Sequence, residues 1–110
     1  MIFKANSFGY IVVDDGLKEA MKNRKLSILP KGIIRVGGEF LSGSVIDIKD
    51  TEGTILAKGI SNYSSSEIES VLGLSSEKAN ELIGFLAKKG IVYADDMVLL
   101  KEDYYGRFVK

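Results

Sequence analysis

The sequence predicts a mainly β domain with some helix, on three observations. Val45, Ile46 and Ile48 alternate with Asp47 and Lys49, the two-residue period of a strand with one buried and one wet face. Turn-forming residues punctuate the apolar stretches. Gly37-Gly38 stops one run, and Asp50-Thr51-Glu52-Gly53 suits a type I turn, with Asp first and Gly fourth. Helical spacing is confined to one early stretch, Leu17 to Lys25, and to a late pair between Ser64 and Gly90.

In chain order, Tyr10-Ile11-Val12-Val13 reads as a first strand running into Asp14-Asp15-Gly16, where either aspartate can cap a short helix. Leu17, Ala20 and Met21 share one face of that helix, which closes in the cations of Lys22-Asn23-Arg24-Lys25. Pro30 excludes helix and turns the chain through Lys31-Gly32. Ile33, Ile34 and Val36 form a second strand, and Gly38 to Ser44 reads as a hairpin turn into a third, 45–49. A fourth, Thr54 to Ile60, completes a small antiparallel unit. Ser64-x-x-Glu67 has capping-box spacing ahead of Ile68, Val71 and Leu72, with Gly73 as a stop. Ser75 or Ser76 opens a second helix with Ala79, Leu82, Ile83 and Leu86 on its apolar face, ended by Gly90. Ile91-Val92-Tyr93 and Met97-Val98-Leu99-Leu100 read as two strands around Ala94-Asp95-Asp96, and the last ten residues show no period.

At 110 residues the chain is one domain, with enough apolar residues (45%) to bury a core without staples. Having no cysteine excludes disulfides, thiol nucleophiles and zinc knuckles, and fits a reducing cytoplasm. Having no histidine removes the commonest acid–base residue and metal ligand. Neither a membrane-spanning run nor a signal-peptide pattern is present, so a cytoplasmic location without membrane contact is expected.

The net charge of zero hides an asymmetry. Up to Arg35, seven basic residues face three acids; from Val36 to Leu86, three lysines face eight. Such a basic end suits an anionic partner, and charges also simply gather where solvent is. Catalytic patterns fail on their own chemistry. Gly38 to Ser44 has G-x-x-x-x-G spacing, but Ser44 stands where a phosphate loop needs lysine. Ser64-Ser65-Ser66 has no histidine to activate it, and Asp14-Asp15 and Asp95-Asp96 read as a cap and a turn rather than a cation site. No catalytic residue, metal ligand or cofactor is expected.

Leu29-Pro30-Lys31-Gly32-Ile33, Gly38-Glu39-Phe40, Gly43-Ser44-Val45, Ala57-Lys58-Gly59 and Asn62-Tyr63-Ser64-Ser65 resemble the PUA domain. Ser27-Ile28-Leu29-Pro30 and the Asn62 tract are most similar to the PUA domain that closes bacterial glutamate 5-kinase, an enzyme of proline biosynthesis. The resemblance covers about Gly9 to Leu100 and leaves 101–110 unassigned. It implies a PUA-type β pseudo-barrel of five or six strands, with one early helix and a helical pair before the last strands. It implies an RNA-binding-type module, non-catalytic alone because the kinase's active site lies in a separate amino-acid-kinase domain. The alternative it leaves open is a regulatory or structural appendage of that kinase with no RNA binding. The family's RNA-binding face maps by position to Leu17–Lys25 and the Pro30-Lys31-Gly32 turn. Pro30 and Gly32 match the family loop; Lys22, Arg24, Lys25, Lys31 and Arg35 form the dense basic group around it. Gly32 then either admits a phosphate or ribose close to the backbone or only supplies a turn with positive φ.

Overall fold

The computed structural model describes residues 7–22, 26–72, 74, 78, 81 and 90–99, with the backbone of 101–102 and 108–109. Strand β3 (Val45–Lys49) buries Ile46 and Ile48 completely and leaves Asp47 and Lys49 half-buried on the opposite face, as the alternation requires. It forms an antiparallel hairpin with β4 (Ile55–Ser61), in which Ile46 faces Gly59 and Ile48 faces Ala57. The connecting turn is held twice. Gly53 N–H donates to the Asp50 carbonyl at 3.1 Å, and Asp50 Oδ1 accepts from the amides of Glu52 and Thr54, each at 2.9 Å. Gly53 itself adopts φ +90°, a conformation glycine enters without a Cβ penalty.

Strand β1 (Gly9–Val13) lies parallel to β3 on its other side, and β2 (Ile33–Gly38) pairs antiparallel with β1. With β5 (Val92–Leu99) antiparallel to β4, the sheet order is β2-β1-β3-β4-β5. This corrects the expected hairpin at Gly38 to Ser44. Because β1 occupies the slot between β2 and β3, that segment crosses the end of β1 instead of reversing onto a neighbour. Phe40 anchors the crossing in the core at 5% exposure, its amide donating to Ser65 Oγ at 3.2 Å.

β5 corrects a second expectation, because it runs unbroken where two strands were read. Gly59 faces Met97 and Ser61 faces Val92, so a wide irregularity takes up the intervening residues of β5. The turn-like Ala94-Asp95-Asp96 stretch is that irregularity. The tail also differs from its reading, since β6 (Lys101–Glu102) and β7 (Phe108–Val109) pair as a short ribbon.

Helix α1 (Asp15–Met21) is capped by Asp14, whose Oδ1 accepts from the Leu17 amide at 2.8 Å. Met21 is buried and Leu17 packs against the core, whereas Ala20 is exposed, so the apolar face is narrower than its spacing suggested. Helix α2 (Ser65–Ser70) begins with the expected capping box, Ser64 Oγ accepting from Glu67 N–H and Glu67 Oε1 accepting from Ser64 N–H. The stop at Gly73 and the apolar face read between Ser75 and Lys89 lie outside the described residues, while Gly90 beyond them has the left-handed φ of +86°. The core gathers Ile11, Val13, Ile46 and Ile48 from the central strands with Ile28, Ile68 and Met97 around them.

Candidate functional site

A single 3-10 turn, Pro30–Gly32, follows from the fixed φ of proline at its first position. Its buried Pro30 pins the turn beside α1, and the Gly32 carbonyl accepts from the Asp14 amide at 3.0 Å. Between helix and turn lies an open cleft of about 390 Å³. Leu17 and Ala20 of α1 form one wall, Leu26 and Leu29 the other, and Asp14, Ser27 and Lys31 supply its polar groups. Leu29 stays 40% exposed at this cleft.

Gly32 corrects the turn reading, because it is not among the glycines with positive φ. A Cβ there would stand 2.9 Å from Leu17 Cδ2, so the tip of that side chain would have to shift to admit one. The sequence-predicted residues thus divide. Pro30, Lys31 and Gly32 meet at the cleft. Lys22, at the end of α1, is exposed and paired with Glu19 at 2.7 Å. Arg35 is exposed on β2, opposite Val12, and does not line the cleft. Arg24 and Lys25 lie outside the described residues. Neither Lys31 nor Arg35 takes part in an ion pair among the described residues.

The remaining basic residue of α1, Lys18, is committed to structure. Its Nζ stands 2.9 Å from Asp50 Oδ2, tying α1 to the β3–β4 turn. That hydrogen bond, together with the Thr54 and Glu52 amides, holds the Asp50 carboxyl below its ordinary value although burial pushes the other way. The pair was not legible in the sequence, since 32 positions separate its members and the turn motif that holds Asp50 says nothing of Lys18. The serines are equally engaged: Ser64 caps α2, and Ser65 Oγ accepts from Phe40 N–H. Among the described residues no group of three or more acidic side chains is placed to hold a metal.

Strand order, the capped early helix and the Pro-Lys-Gly turn define the class. The sequence profile described as PUA domain matches residues 9–83, and the chain belongs to that family. A glutamate 5-kinase of Serratia marcescens is 42% identical over 98 residues, covering 89% of this chain and 27% of that protein. Glutamate 5-kinases of Aquifex aeolicus (42% over 91 residues, 83% of this chain, 25% of the relative) and Dictyoglomus thermophilum (33% over 100 residues, 91% and 27%) are similar in the same way. The chain therefore spans about a quarter of the length of these relatives. Among solved structures, a PUA domain from Aeropyrum pernix K1 superposes with a TM-score of 0.52 at 28% identity, over 57% of this chain and 34% of the other. No described helix is long and apolar enough to cross a membrane.

Proposed function

We infer that the chain is an RNA-binding-type PUA module, non-catalytic by itself, that contacts structured RNA at the cleft between α1 and the Pro30 turn. The observation that supports this most is Lys31, an exposed cation at an open cleft with no carboxylate partner among the described residues. A cation left unpaired keeps its full attraction for phosphate, whereas Lys18 is held by the buried carboxylate of Asp50 and Lys22 is only partly offset by exposed Glu19. Lys25 and Arg24 belong to the same reading by their place in the sequence.

The second reading is a structural or regulatory appendage of a glutamate 5-kinase, favoured by relatives that carry a matching segment as a quarter of their length. In that reading the partner is the amino-acid-kinase portion. Titration of a hairpin RNA at several salt concentrations separates the two. Under the RNA reading, binding weakens linearly in log salt, and Lys25→Glu with Lys31→Glu flattens the slope by about two phosphate contacts while leaving the melting temperature unchanged. Absence of salt-dependent binding at tens of micromolar leaves the appendage as the account.

A further inference from the structure

The face of the sheet turned away from the core carries a second feature. Since Ile11 and Val13 point into the core, alternation sends Tyr10 and Val12 to the opposite face. Tyr10 pairs in register with Gly37 of β2, and its ring lies over that glycine. A Cβ on Gly37 would stand 2.2 Å from Tyr10 Cζ, so any other residue there would push the ring from its present place. On the β3 side, Lys49 Nζ sits 4.3 Å from the ring centroid. One row further along, Val12 is flanked in register by Arg35 of β2 and Lys49 of β3, two cations on strands about 10 Å apart across β1. Neither cation faces a carboxylate among the described residues, for Asp47 on this face is taken by Ser7 Oγ at 2.5 Å and Lys58 at 3.7 Å.

We propose that this outer face, with Tyr10 as a stacking surface and Arg35 and Lys49 as phosphate contacts, binds single-stranded RNA. It deepens the nucleic-acid reading and rests on it, but uses a surface separate from the cleft. A flat aromatic side chain on a sheet with cations beside it suits an unpaired base, whose π-face stacks while its phosphates meet the charges. Lys49 already covers the ring; an incoming base takes that position, and the displaced ammonium moves to the nucleotide's own phosphate. A duplex offers no free base face, so the ligand class is an unpaired strand.

The test uses two fluorescein-labelled probes, a short oligouridylate and a hairpin with a minimal loop, titrated by anisotropy at several salt concentrations. Wild type binds the oligouridylate with salt-dependent affinity. Tyr10→Leu weakens it about tenfold or more, Tyr10→Phe retains it, and Arg35→Gln with Lys49→Gln lowers the salt slope by about 1.4. Lys31→Glu weakens hairpin binding more than oligouridylate binding. If wild type ignores the oligouridylate, or a folded Tyr10→Leu protein binds it as wild type does, the platform is wrong. Hairpin binding that survives such a failure leaves the cleft reading standing, and loss of hairpin binding alone removes the cleft but not the platform. Should Tyr10→Leu fail to fold, the Arg35/Lys49 slope decides the proposal in either direction.

Discussion

Ile48 and Lys49 are chain neighbours with opposite fates, which makes them a sharp test of register. Ile48 is fully buried opposite Ala57, while Lys49 is half-exposed beside Tyr10. Ile48→Ala removes core volume that its neighbours cannot refill and costs about 2–5 kcal/mol, whereas Lys49→Ala loses a surface cation–π contact worth under about 1 kcal/mol. Denaturant unfolding of the two variants measures the difference, and equal losses would mean that β3 is turned over. Such facing was legible in the sequence because the period of two states it directly. Gly32 was not. A turn glycine suggests positive φ by default, and only the folded backbone shows that Gly32 does not adopt it.

At the scale of elements, caps, turns and the β3–β4 hairpin were legible, and the pairings of strands distant in sequence were not. Asp14, the Ser64–Glu67 box and the Asp50–Gly53 turn satisfy backbone groups within a few residues, so their residue types announce them. The insertion of β1 between β2 and β3 joins strands with no local signature, and the expected hairpin at Gly38 failed for that reason. The long irregularity in β5 misled in the same way, since its turn-like residues are bulged rather than turning the chain. Asp50 gives this scale its prediction, because it links α1 to the β3–β4 turn through Lys18. Its carboxyl is held below the ordinary value of 3.8, first by the Lys18 hydrogen bond. A depressed folded value means that the ionised group stabilises the fold fully above the unfolded value and loses that contribution as pH falls through the folded one. The stability gap between wild type and Asp50→Asn is therefore flat from neutral pH to about pH 4 and narrows in more acid solution. Unfolding curves taken across that range check it, and a gap that does not change with pH contradicts the role given to the ion pair.

For the whole molecule, a mixed five-stranded sheet with helix α1 at one end places two surfaces apart: the cleft beside the Pro30 turn and the outer face around Tyr10. The sequence pointed to the turn beside the first, because Pro30 and Gly32 match the family loop and Lys31 lies between them. It missed the second, because Tyr10, Gly37 and Lys49 meet only through strand order. It also grouped Arg35 with the cleft cations on charge density alone, although strand alternation carries that residue to the outer face. Backbone amide chemical-shift mapping of the full chain against a hairpin RNA tests RNA contact at the cleft. At low salt the shifts gather at Asp14 to Lys22 and Leu26 to Gly32, fade as salt rises, and spare β4. Shifts that gather elsewhere, or none at tens of micromolar RNA, rule that contact out.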